Sequence, residues 1–317
     1  FQAAKEYILS RAKKEQGSFS KTLQVKIEGD EKTFILVSKE GEEKKISERF
    51  LKTKFSFACR GLEDRVDLAD LLHTSIMNFY EGMKEHELDL SNIFAARSKI
   101  EKDPAYAKVA SRLLLDVIYR ETIGISASDP SLRKSHQTYF KKMIKDGVRI
   151  GRLHQNLLDF DLDYLAKHMD LENDDRFSYL GIQTLYDRYF IHENERRLET
   201  PQIFWMRVAM GLAKEEDQKN ERAVEFYQTL STFHFVSSTP TLFNSGTLHP
   251  QLSSCYLSTV EDDLQSIFKL ISDDALLSKW AGGLGNDWTP IRSTGAKIHG
   301  TNGKSQGVIP FLKVAND

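Results

Sequence analysis

The stretch of this chain richest in chemistry runs from Ser238 to Cys255, STPTLFNSGTLHPQLSSC, a turn-rich segment that ends on a lone thiol. Ser253 and Ser254 precede that thiol, and the β-prone Tyr256 and Leu257 follow it. A cysteine so placed can cycle between thiolate and disulfide once a second thiol approaches it in space. The chain's other cysteine, Cys59, lies with Phe55, Phe57 and Ala58 on an apolar helical face, where a small buried hydrophobe is the expected role. Two cysteines so far apart form neither a disulfide framework nor a zinc ribbon. A second chemical region follows in Gly282, Gly283, Gly285, Gly295, Gly300, Gly303 and Gly307, with Arg292, Lys297 and Lys304 among them. Glycines at this density let backbone N–H groups approach phosphate oxygens closely. Their spacing fits neither the P-loop nor the dinucleotide fingerprint, so a plain surface loop is the competing reading. The 9 histidines show no HExxH and no His/Cys cluster, and no metal is expected in this chain.

The elements that must position these groups divide the 317 residues into several parts. Phe1 to Glu15 has helical spacing and reads as the end of something earlier, and Asp317 lies inside a continuing element, so a fragment of a longer protein is expected. LQVKIEG and KTFILVSKEGEEKKIS, separated by Gly29 and Asp30 and turning again at Gly41, predict a sheet of two or three strands. Helices are predicted through Phe50, Leu51, Phe55 and Ala58, from Leu68 to Tyr80, and from Asp103 to Arg120, completing a small α+β module. GISASDPSLR, residues 124–133, is the best linker. Beyond it, amphipathic spacing over 139–150, 162–169, 179–189, 201–213 and 223–233 predicts an all-helical lobe, with Pro201 suited to a first helical turn. From Phe235 onward the texture suits an α/β core. Lysine plus arginine number 44 against 46 acids, so no global basic field draws in nucleic acid or an anionic membrane. No apolar run reaches membrane-spanning length and no signal peptide opens the chain, so a soluble, cytoplasmic protein is expected.

Residues 233–316, with STPTLFNSGT, QLSSCYL, KWAGGLG and KIHGTNGKSQGVIPFLKV, resemble the large (alpha) subunit of class I ribonucleotide reductases, the ribonucleoside-diphosphate reductases. FSYLGIQTLYDRYFI resembles the helical lobe that precedes the catalytic barrel in that family, and Val37 to Glu121 resembles its ATP cone. The segment AAKEYILSRAKKE is similar to the last helix of another such cone. The resemblance implies a helix-rich α+β chain: the end of a preceding cone or a linker helix over 1–20, an ATP-cone-like domain over 21–123, a helical lobe over 124–234, and over 235–317 the incomplete start of a ten-stranded α/β barrel.

Carried over residue by residue, the resemblance places Cys255 on the active-site cysteine that reduces the ribose by pairing with a second cysteine elsewhere. Thr239, Ser254 and Gly283 fall on substrate contacts. Asp262, Asp263 and Leu264 fall on the segment reading the deoxynucleotide effector, with Arg292 on a phosphate-contacting cation; His299 stands where some relatives have arginine. In the cone, Lys39 and Arg120 keep basic character at nucleotide-phosphate positions. Phe50 replaces a lysine there, and Glu85 and Asp89 replace a threonine and a histidine, so a degenerate cone, a structural or interface module, is expected. The resemblance further implies no cofactor bound to this chain, ATP and dNTP effectors, a homodimer, a radical-generating beta subunit, and a thioredoxin- or glutaredoxin-type reductant. The residues also leave open an adenosylcobalamin-dependent reductase, a non-catalytic nucleotide-binding regulator and an interaction scaffold.

Overall fold

The computed structural model describes residues 26–28, 31–38, 41–80, 82–194, 196–279 and 282–316. The expected helix within Phe1 to Glu15 and Lys39 lie outside these residues. The chain forms two compact units, one of residues up to Leu132 together with Asp174–Arg188, the other of Arg133–Asn173 and Tyr189 onward. These differ in extent from domains divided at 124 and 235. Residues 174–188 pack with the first unit because its helices hold them: Arg112 forks onto Asp175, Tyr119 bonds Asp174, and the Tyr186 hydroxyl donates to Glu121.

In the first unit, β1 (Lys26–Glu28), β2 (Glu31–Val37) and β3 (Glu43–Ser47) form an antiparallel sheet in the order β1-β2-β3. Phe34 and Leu36 are buried, and Phe34 meets Phe79 edge-on at 5.0 Å. Helix α1 (Glu48–Cys59) starts where the Ser47 hydroxyl accepts from the Phe50 N–H, and buries Leu51, Phe55, Ala58 and Cys59. Then come α2 (Leu68–Ile76), capped by Asp67, α3 (Glu85–Arg97), α4 (Ala105–Thr122) and α7 (Tyr179–Thr184), the last reached after two helices of the second unit. Sequence spacing misses α3 altogether. That helix buries Asp89, Ser91 and Asn92 while exposing Leu90 and Phe94, which hides its amphipathic stripe.

The second unit contains α5 (Leu132–Arg149) and α6 (Leu162–His168), then two-residue strands β4 (His192–Glu193) and β5 (Arg196–Arg197), which interrupt the helices of an otherwise helical region. Helix α8 (Pro201–Ala213), with Pro201 in its first turn, is buried nearly all round and packs on α9 (Lys219–Ser231). Thr200 caps α8, and its Oγ1 lies 2.7 Å from Nε2 of His136, which is fully buried. The short α10 (Thr239–Asn244) follows. After it comes a βαβ unit: β6 (Cys255–Thr259), α11 (Leu264–Ser278) and β7 (Gly283–Asp287), the strands pairing in parallel. Val260, Ile267 and Leu270 form its small core, against which Trp288, Ile291 and Phe311 of α12 (Ile309–Asn316) pack. No helix among the described residues is long and apolar enough to cross a membrane.

Candidate functional site

Cys255 is the first residue of β6, its thiol free and exposed. The parallel register sets it opposite Gly283, whose N–H donates to the Ser254 carbonyl at 2.7 Å. A Cβ on Gly283 would sit 3.6 Å from the Cys255 sulfur and 3.3 Å from the Ser254 oxygen, so glycine leaves bare backbone beside the thiol. The Ser254 hydroxyl points at that sulfur from 3.7 Å. Serine, cysteine and glycine thus converge at one edge of the two-stranded sheet.

Thr239 begins α10, and side chains along α10 hold the loop that delivers Cys255. The Thr241 hydroxyl donates to the Leu252 carbonyl at 3.0 Å, Asn244 Nδ2 to the Gln251 carbonyl at 2.8 Å, and Gln251 Nε2 to the Ser253 carbonyl at 2.9 Å. The Thr239 hydroxyl itself lies 3.1 Å from the hydroxyl of Tyr189, whose ring stacks on Phe243. Tyr189, Glu199 and Arg207, the last two supporting α10 from beneath, were not among the residues singled out from sequence. Their only signal was a charged residue inside the apolar run of α8.

The second cluster lies past β6. Asp263 caps α11, accepting from the N–H groups of Gln265 and Ser266 at 2.9 and 3.0 Å, and Leu264 is exposed. Asp262 is held by Arg292, from Nε at 2.7 Å and from its backbone N–H at 3.2 Å. The same guanidinium donates to the carbonyls of Asp262 and Lys297. Arg292 therefore meets a carboxylate rather than standing open to an anion. The loop beyond it folds back on itself through Gly295 with Ser305 and Ile298 with Gly303, turns at Gly300 with φ of 81°, and presents His299 to solvent.

In the first unit a cavity of about 600 Å³ is lined by Phe50, Phe57, Glu85, Asp89, Asp116 and Arg120, among others. Lys44, Lys45 and Arg112 also line it, and two further cations with two acids form a closed quartet at its wall. Lys54 contacts Asp89 at 2.6 Å and Asp116 at 3.1 Å; Arg120 contacts Asp89 at 2.8 Å and Asp116 at 3.0 Å. Burial pushes the Asp116 carboxyl up, but Lys54, Arg120 and hydrogen bonds from Ser126 and Ala127 outweigh it and bring its pKa down to about 2. Burial pulls Arg120 down, and Asp89 with Asp116 more than reverses this. Lys44 pairs with Glu85 at the rim. Each of these charges already has its counter-charge, so a polyanion entering the cavity would meet no unpaired cation in the quartet. Lys54 and Asp116, half of it, escaped the sequence reading. Cys59 is inert here: burial, reinforced by Glu63 and opposed by Arg112, raises its thiol to about 11.

Comparison with known proteins gives the family of the chain. Residues 175–250 match the ribonucleotide reductase all-alpha domain and residues 253–317 match the ribonucleotide reductase barrel domain. The chain is similar to ribonucleoside-diphosphate reductase subunit alpha of Chlamydia muridarum, 53% identical over 321 residues, which is 100% of this chain and 30% of that protein. It is 38% identical over 244 residues to the subunit of the same name in Helicobacter pylori strain 26695, covering 76% of this chain and 30% of that one. The ribonucleoside-diphosphate reductase large chain of Schizosaccharomyces pombe is 31% identical over 281 residues, covering 88% and 34%. The chain spans about a third of the length of these relatives. With both domain matches falling on the segments that carry Thr239 and Cys255, the chain belongs to the ribonucleotide reductase large-subunit family.

Proposed function

We propose that the full-length protein is the large subunit of a class I ribonucleoside-diphosphate reductase, and that Cys255 is one of its two redox cysteines. The reading is carried by one observation: an exposed thiol beside the bare backbone of Gly283, on a loop bonded to the helix of Thr239. In the reaction the ribose 2'-hydroxyl is replaced by hydrogen and leaves as water. Cys255 and a second cysteine of the full-length protein supply two electrons and two protons as they become a disulfide. A thiyl radical on a further cysteine opens the sequence, started by a radical-generating beta subunit.

Thr239 and Ser254 donate hydroxyls to the substrate's diphosphate or ribose, and Gly283 offers its backbone face. Asp262, Asp263, Leu264, Arg292 and His299 belong to the reader of a deoxynucleotide effector, whose phosphates would compete with Asp262 for Arg292. Residues 21–123 form an ATP-cone-like module whose cavity holds the mutually paired quartet of Lys54, Asp89, Asp116 and Arg120, 124–234 the helical lobe, and 235–317 the start of a ten-stranded barrel. The working enzyme is a cytoplasmic homodimer re-reduced by a thioredoxin- or glutaredoxin-type protein.

Substitution Cys255→Ser in the full-length subunit tests this. Turnover with a dithiol reductant should be abolished while nucleotide binding stays near that of the parent. Retained turnover with lost binding would remove Cys255 from the redox role.

A further inference from the structure

We infer that the buried Glu199–Arg207 pair is a positioning device for Thr239, acting through α10 on one side and Tyr189 on the other, a role that rests on the reductase reading above. Both side chains are 0% exposed. Arg207 forks onto the carboxylate, Nε to Oε1 at 2.6 Å and Nη2 to Oε2 at 3.3 Å. The opposite edge of the same guanidinium reaches the end of α10: Nη1 donates to the Ser245 carbonyl at 2.6 Å and to the Leu242 carbonyl at 3.3 Å, and Nη2 also reaches Leu242 at 3.3 Å. A planar fork of five donors can hold both carboxylate oxygens and two carbonyls at once, one acceptor more than an ammonium's three donors can serve.

Helix α10 has only 6 residues, so fixing its last carbonyls fixes its first residue, Thr239. There is no slack beneath it. The Ser245 hydroxyl donates to the Val208 carbonyl at 2.8 Å, and a Cβ on Gly211 would lie 2.2 Å from the Gly246 nitrogen. On the other side, Glu199 Oε2 accepts from the Ile191 N–H at 2.8 Å and so anchors the segment that carries Tyr189. The Tyr189 ring lies on Phe243 of α10 with centroids 4.5 Å apart and planes 9° apart, and its hydroxyl reaches Thr239 at 3.1 Å. One ion pair thereby registers the tyrosine and the threonine against each other. A fully buried pair adds little net stability over an apolar replacement, and fixing a register is the best-attested use of such pairs.

The test uses the full-length large subunit, assayed with its radical-generating partner and a dithiol, as Tyr189→Phe, Arg207→Lys and Arg207→Met. Tyr189→Phe keeps the ring stack and deletes only the hydroxyl, so the fold should hold. KM for the ribonucleoside diphosphate should rise roughly three- to tenfold while kcat changes less than about twofold. Arg207→Lys keeps the charge but not the fork and should raise KM further, and Arg207→Met should raise it most, or fail to fold. Unchanged KM in folded Tyr189→Phe and Arg207→Lys, beside an active parent, overturns the positioning role and leaves the reductase reading standing. An inactive parent overturns both.

Discussion

The two thiols of this chain differ in nearly everything that controls thiol chemistry. Cys59 is buried as the last residue of α1, with burial raising its pKa to about 11, whereas Cys255 stands exposed at a strand start beside a serine hydroxyl and a glycine. Thiolate, not thiol, is the reacting form, and reagent must also reach the sulfur. Iodoacetamide at pH 8 should therefore alkylate Cys255 and leave Cys59 unmodified in the native protein, with both labelled after denaturation; peptide mass mapping reads the result. Native labelling of Cys59 would show that α1 opens readily. The packing role of Cys59 is legible in its apolar helical neighbours, a local property, whereas the redox role proposed for Cys255 comes from the family resemblance of its motif. Tyr189 has no such local signature and Arg207 only its charge within the apolar run of α8, since each meets its partner about fifty or thirty-five positions away.

At the scale of elements, the start of α8 depends on a histidine sixty-four positions earlier in the chain. Burial, with Arg133 adding to it, lowers His136 to about 3 from 6.5. The unfolded chain therefore takes up the proton before the folded one. The stability that goes with a neutral His136 is complete above pH 6.5 and is lost as pH falls toward 3, at up to about 1.4 kcal/mol per pH unit. Urea denaturation from pH 7 to pH 4 should show this decline, and His136→Gln should flatten it. An unchanged slope in the variant would assign the acid sensitivity elsewhere. Helix α8 itself is legible from amphipathic spacing and the first-turn Pro201, while its Thr200 cap emerges in the structure. Helix α3 was missed because its buried face carries Asp89, Ser91 and Asn92, whose partners come from other helices.

At the scale of the molecule, the cavity of the first unit bears on the proposal that its cone-like resemblance comes without nucleotide sensing. Lys54 and Arg120 are both held by Asp89 and Asp116, so the quartet offers a triphosphate no unpaired charge. Photolabelling with 8-azido-ATP should leave the peptides lining this cavity unmodified. The double variant Asp89→Asn, Asp116→Asn removes both acids and leaves Lys54 and the more exposed Arg120 without their counter-charges, with some loss of stability. It should gain both labelling there and a rise in melting temperature with added triphosphate. Labelling of the parent cavity would restore a nucleotide-sensing role to this module.

Sequence by itself determined what is written locally: a small sheet of two or three strands followed by helices, the first-turn proline of α8, the α/β texture from Phe235 onward, and the family likeness held in contiguous motifs such as QLSSCYL. Hydrophobic period, turn residues and caps act within one or two turns of chain, so they survive in one dimension. Tertiary structure alone decided which charges meet. It set Arg292 on Asp262, closed the Lys54, Asp89, Asp116 and Arg120 quartet, packed residues 174–188 with the first unit, and placed Arg207 beneath α10. Electrostatic pairing and burial depend on distance in space, and residues thirty to sixty positions apart become neighbours only once the elements between them have folded.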